Sequence, residues 1–164
     1  MAWVSPTGFN DPDTAWTNAP NLYDENTATF ATVLVAAGTW GSFIELTHAA
    51  LNCDKGRFWA FQNTPPGIRE IDFDAFYGGI WNHVYQGVYA SLAWVEKALG
   101  GTFSVTAFRF RFYNSAGSQY TAYFYEVDFN EAPAGWTGKI AGVSSPAKVM
   151  GVAAANIATV KGVA

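Results

Sequence analysis

The sequence predicts an all-β fold: an antiparallel β-sandwich of the jelly-roll kind with an extended C-terminal arm. Three observations carry that expectation. Several runs alternate between apolar and polar residues, as half-buried strands do. Breaks rich in Gly, Pro and Asn separate those runs. Half of the residues are hydrophobic, 17% are aromatic and only 13% are charged, with 16 glycines. That composition suits an all-β domain, or one that hides much of its surface against partners.

In chain order, TFATVLVAAG (residues 29–38) is β-branched and apolar, and SFIELTHA (42–49) follows Gly41. GRFWAFQN (56–63) is short and aromatic, and TPPG (64–67) breaks the chain. IREIDFDAFYGG (68–79) sets Ile71 and Phe73 against Glu70, Asp72 and Asp74, and IWNHVYQGVY (80–89) follows the Gly78-Gly79 turn. ASLAWVEKALGG (90–101) has helical character: Leu, Ala, Glu and Lys before a double glycine that would stop a helix. SVTAFRFRFYNSAGSQYTAYFYEVDF (104–129) reads as a long antiparallel hairpin turning at NSAGSQ, with Phe108, Phe110 and Phe112 on one face and Arg109, Arg111 and Tyr113 on the other.

The composition changes near Pro133, which divides the chain into a sandwich (1–131) and an arm (132–164). In the arm Gly142, Gly151 and Gly162 are each followed by valine, an imperfect repeat. The arm is too Ala/Gly-rich to build its own core. Its Ile140, Val143, Val149, Val152, Ile157, Val160 and Val163 are expected to dock on neighbouring subunits.

Several function classes lose support. A net charge of −4 disfavours nucleic acid, which wants a basic stripe. No apolar run of membrane-spanning length and no signal-peptide pattern is present. The single cysteine, Cys53, leaves no internal disulfide and suits a reducing compartment. No nucleophile, zinc-protease or phosphate-loop motif occurs, and His48 and His83 stand far apart, so no enzyme is expected.

Two polar features remain. The acidic row Glu70, Asp72, Asp74 and the basic row Arg109, Arg111 read as cross-strand ion pairs if their strands are neighbours, or else as a binding face. NAPNLYDENTATFAT (18–32) is a polar turn with Asx-type hydrogen bonds, or a cradle in which Asp24, Asn26 and Thr29 wrap a hard cation and a distant carboxylate such as Glu126 closes the shell.

NLYDENTATFA (21–31) resembles the A-x-D-G-N-x-x-T-x-W loop of discoidin-like domains, also called coagulation factor C-type or galactose-binding-like jelly rolls, which include many carbohydrate-binding modules. IREIDFDAFYGGIWNHVYQG, VTAFRFRFYNS and YFYEVDFNE resemble that family's later segments in the same order, so the likeness spans residues 12–131. It implies a structural Ca²⁺ held by the Leu22 backbone carbonyl, Asp24, Asn26, Thr29 and Glu126. Glu25 stands where the family has glycine and Phe30 where it has tryptophan, so a different backbone conformation is expected at Glu25. The opening 27-residue stretch (5–31) and the tail KVMGVAAANIATVKGVA further resemble virion proteins of tailed bacteriophages.

That second resemblance implies a non-enzymatic structural protein: a capsid decoration, head fibre or tail component. Its partners would be copies of itself and other virion proteins, assembled in a host cytoplasm. The alternative is a carbohydrate-binding module for a cell-surface glycan, stacking sugars on Trp16, Trp40, Trp59, Trp81, Trp94 or Trp136, beside a loop such as NTPPG. Most tryptophans in so aromatic a chain pack in the core.

Overall fold

The computed structural model describes residues 2–132 and the backbone of four two-residue strands between positions 139 and 153. The body is built from β1 (Ala2–Val4), β2 (Gly8–Asn10), β3 (Trp16–Thr17), β4 (Ala31–Val35), β5 (Ile44–Ala60), β6 (Ile68–Tyr77), β7 (Ile80–Val88), β8 (Trp94–Asn114) and β9 (Tyr120–Glu131), with one 3-10 turn at Ala19–Leu22. Their order is β3-β4-β9-β5-β8-β6-β7, with β1 on β9 and β2 on β5, all antiparallel. The long, bulged strands β5 and β8 carry this sheet around into a β-sandwich.

Alternation puts Phe58, Phe73, Phe108, Phe110, Phe112, Phe124 and Phe129 fully inside. Each buried ring contributes roughly 1.5–3 kcal/mol. Rings of β8 meet rings of β9 across the core: Phe108 stacks on Phe129 at 4.1 Å, and Phe112 meets Phe124 edge-on at 5.4 Å. Tyr77 and Ile80 are paired across Gly78 and Gly79, whose φ values of 63° and 81° close a tight two-residue turn.

Three expectations need correction. Residues 94–101 are not helical. They open β8, where Trp94–Ala98 pair with Lys55–Trp59, because Val95 and Leu99 pack on the core in strand geometry. SFIELTHA and GRFWAFQN are two parts of one 17-residue strand. And β8 does not pair with β9: both flank β5, so residues 115–119 carry the chain between layers. Buried Asn114 fixes that crossing, donating to the carbonyls of Val35 (2.9 Å) and Ser118 (2.8 Å) and accepting from the Ala116 N–H (2.9 Å).

In the arm, β10 (Lys139–Ile140) pairs with β11 (Val143–Ser144), and β12 (Lys148–Val149) with β13 (Val152–Ala153). Each pair spans one copy of the Gly-Val repeat. The arm residues Ile157, Val160 and Val163, and Trp136, lie outside the described residues.

Candidate functional site: a cleft and an aromatic shelf along one strand

A bulge in β9 organises the site. Trp59 is opposite Glu126 while Ala60 is opposite Phe124, so Tyr125 is the extra residue. Before it, Ala122 and Phe124 face the core; after it, Val127 and Phe129 do. Tyr123, Tyr125, Glu126 and Asp128 therefore belong to the opposite face. Two adjacent cavities share that face.

The first, of about 270 Å³, is lined by Trp3, Ser5, Glu25, Thr27, Arg57, Trp94, Glu126 and Asp128. Arg57 is registered opposite Asp128. Its Nε and Nη2 donate to Asp128 Oδ2 at 2.8 and 2.7 Å, and Ser5 Oγ donates to Asp128 Oδ1 at 3.1 Å. The guanidinium lies between two indoles, 3.8 Å from the Trp94 centroid and 4.3 Å from that of Trp3. An arginine pinned among carboxylates sets donors beside acceptors, a pattern that vicinal hydroxyls satisfy because each both donates and accepts.

The second cavity, of about 360 Å³, is lined by Phe30, Phe61, Asn63, Tyr123 and Tyr125. Phe30 is 37% exposed, and its ring meets Tyr123 at 5.3 Å and Tyr125 at 5.4 Å. Burial, and then the neighbouring Tyr123, push the Tyr125 phenol above its ordinary value.

The 18–32 loop walls the first cavity. Asp24 Oδ1 and Glu126 Oε1 converge on one donor, the Asn26 N–H, at 3.0 and 2.8 Å. Thr29 Oγ1 donates to Asp24 Oδ2 at 2.7 Å, and Asn26 Oδ1 accepts from the Ala28 N–H at 3.1 Å, an Asx turn. Glu126 is 1% exposed. Burial first, and the hydrogen bond with Asp24 second, push its carboxyl up to about 8. Asp24, Asn26, Thr29 and Glu126 thus come together across about a hundred residues of sequence. Leu22 has its side chain in the core, which leaves only its carbonyl for a ligand. Glu25, which stands where the family has glycine, has φ 61°, in the left-handed region that favours glycine.

Of the tryptophan platforms, one needs correction. Trp16 is a core residue, 9% exposed. Trp94 has Arg57 on its face and Trp59 against its ring at 5.7 Å. Arg109 lies over Trp81 and Arg111 over Trp40, at 4.5 and 5.1 Å. A second aromatic surface is the one made by Phe30, Phe61 and the two tyrosines, next to Asn63 of the NTPPG loop. Trp3, Arg57 and Asp128 are not candidates on sequence grounds. Their signal is the polar face shared by Arg57 and Trp59, legible only once β9 is known to be the neighbour. The two charge rows do pair: Asp74 with Arg109 and Asp72 with Arg111, each at 2.8 Å.

This architecture is that of the discoidin-like, galactose-binding-like jelly rolls. Among solved structures, the chain is similar to the C-terminal domain of a chitobiase from Bacteroides fragilis (17% identity, 79% of this chain and 97% of that one, TM-score 0.53). It is similar also to the family 32 carbohydrate-binding module of AlyQ in complex with 4,5-unsaturated mannuronic acid (15%, 80% and 100%, TM-score 0.53). A third is the family 32 module of C. perfringens NanJ in complex with galactose (10%, 74% and 92%, TM-score 0.54). No protein-family model and no curated protein matches the sequence.

Proposed function

We propose that the protein is a non-catalytic carbohydrate-binding domain whose glycan lies along β9, one sugar ring against the Phe30–Tyr123–Tyr125 shelf and a neighbouring sugar hydrogen-bonded in the Arg57–Asp128 cleft. The observation that carries this reading is the adjacency of an aromatic shelf and a polar cleft on one strand face, because glycan sites combine ring stacking with convergent polar groups. Two solved structures of the same fold hold a galactose and an unsaturated mannuronic acid, which supports a sugar as the ligand class. A glycan array followed by calorimetry tests it. Tyr125→Ala and Arg57→Lys should each weaken the best glycan at least tenfold. An array with no glycan above background, or both variants binding as tightly as wild type, overturns the reading.

The Asp24 loop fits a structural Ca²⁺. Two carboxyl groups converging on one N–H repel each other unless a proton or a cation lies between them. Asp24, Asn26, Thr29, Glu126 and the Leu22 carbonyl supply oxygen donors of the type calcium takes.

A second reading, assembly into a virion, rests on the arm. Its repeat forms two separate two-stranded sheets, neither belonging to the nine-stranded sheet. A series of such units suits docking on copies of the chain or on other virion proteins. The two readings are compatible, since a virion surface domain can bind host glycans. Deleting residues 139–164 should abolish self-association in sedimentation velocity; unchanged assembly removes this reading.

A further inference from the structure

On β6 and β7, away from the strand face that lines the glycan cavities, the structure points to a site for a divalent transition metal of the zinc class, made by Asp72, Asp74 and His83. We propose it on geometry that owes nothing to those cavities.

Asp72 and Asp74 are alternate residues of β6 and share a face. Their neighbours on β8 are Arg111 and Arg109, in direct register. Each arginine takes only the Oδ2 of its partner: Arg111 at 2.9 and 2.8 Å, Arg109 at 2.8 and 2.8 Å. Both Oδ1 atoms are left over, on the side of β7. A bulge in β7 then supplies the third group. Phe73 is opposite Tyr85 and Asp74 is opposite His83, so Val84 is the extra residue and His83 is set against the aspartates.

His83 Nδ1 lies 3.3 Å from Asp74 Oδ1 and 3.5 Å from Asp72 Oδ1. One Nδ1–H can serve only one of these oxygens, and 3.5 Å is too long for a good hydrogen bond. Asp72, 5% exposed, consequently keeps an Oδ1 that accepts no hydrogen bond from the described residues and points at the imidazole. The same spacings suit ligands of one ion. Bonds of about 2.0–2.1 Å in tetrahedral directions set neighbouring donors about 3.3 Å apart. All three donor atoms lie within 4.8 Å of one another.

The chemistry selects the metal. An imidazole nitrogen with two carboxylate oxygens suits Zn²⁺, Ni²⁺ or Cu²⁺. Ca²⁺ wants six to eight oxygens and finds three donors here, one of them nitrogen. The arginines lower the negative charge, which moderates affinity, but they lock both carboxylates in orientation, as outer-shell partners do. The His83 side chain is 60% exposed, so an ion enters from solvent and retains open positions for water or a partner's ligand.

The test uses the full chain, stripped with chelator and titrated with ZnCl₂ by calorimetry, with Co²⁺ as a spectroscopic probe. Wild type should take up a zinc equivalent that His83→Ala binds at least tenfold more weakly, and the Co²⁺ visible band should vanish in that variant. Because His83 is exposed, the variant should fold, which circular dichroism verifies. His48→Ala should bind zinc as wild type does. Equal zinc affinity in wild type and His83→Ala, or no uptake by wild type, overturns the proposal. Asp72→Asn adds a second arm, but the His83 variant decides even if loss of the Arg111 pair unfolds that one.

Discussion

Replacing Glu126 with glutamine should change how stability depends on pH. The Glu126 carboxyl is pushed up from 4.5 to about 8, by burial first and by Asp24 second. Folded chains therefore hold a proton that unfolded chains release above pH 4.5. Stability is fully present below that value and declines as pH rises toward 8, the reverse of a salt-bridged carboxylate. At about 1.36 kcal/mol per pH unit, the loss over this window is about 5 kcal/mol. A glutamine at this position cannot ionise, yet its amide oxygen still accepts from the Asn26 N–H that Glu126 Oε1 binds at 2.8 Å.

The assay is urea unfolding in EDTA, followed by tryptophan fluorescence, at pH 5, 6.5 and 8. Other groups titrate in both proteins, so the quantity that matters is the difference between wild type and Glu126→Gln. That difference should shift by several kcal/mol in favour of the variant as pH rises. Parallel profiles would refute the reasoning, since they would mean that Glu126 ionises as freely in the fold as in the unfolded chain. Calcium should then act in the opposite direction. It favours the ionised pair, and at a hundredfold excess over its Kd it should restore about 2.7 kcal/mol at pH 8 to wild type alone.

Three further outcomes follow from the core. Gly56→Ala should destabilise by about 1–3 kcal/mol in the same unfolding assay, because its Cβ would sit 2.7 Å from Phe108 Cε2 and 2.8 Å from Phe73 Cζ, both on fully buried rings. Asn114→Ala should cost at least about 2 kcal/mol, since it strips partners from the Val35 and Ser118 carbonyls and the Ala116 N–H. Cys53, with its thiol pushed up to about 11 mainly by burial, should react with Ellman's reagent at pH 8 only as the chain unfolds; rapid labelling of native protein would contradict its burial.

Alternation reports which way a side chain points, and that part of the fold is legible in the sequence. It puts Phe108, Phe110 and Phe112 on one face, and the structure buries all three. The pairing of Asp72 and Asp74 with Arg111 and Arg109 is legible for the same reason: rows of opposite charge on polar faces need only neighbouring strands to meet. Alternation does not report which strand is the neighbour. Residues 104–129 would show the same pattern as a hairpin or as two layers joined by a crossing, because the aromatic face is buried either way. The structure chooses the crossing, where Phe108 and Phe129 stack face to face instead of lying side by side in one sheet.

Most of what the sequence conceals at the site follows from that one ambiguity. With β9 read as the partner of β8, Asp128 has no route to Arg57, 71 residues away; with β9 beside β5, the two are in register and an ion pair follows. Three of the tryptophans carry an arginine on the ring for a related reason. Indole faces on a charged sheet surface attract guanidinium groups, and Arg57, Arg109 and Arg111 cover Trp94, Trp81 and Trp40. Phe30, flanked by tyrosines and by no arginine, is 37% exposed. Among the described residues 2–132 four of the six lysines and arginines are paired across strands, so the position of each arginine governs which aromatic rings remain free to meet a ligand.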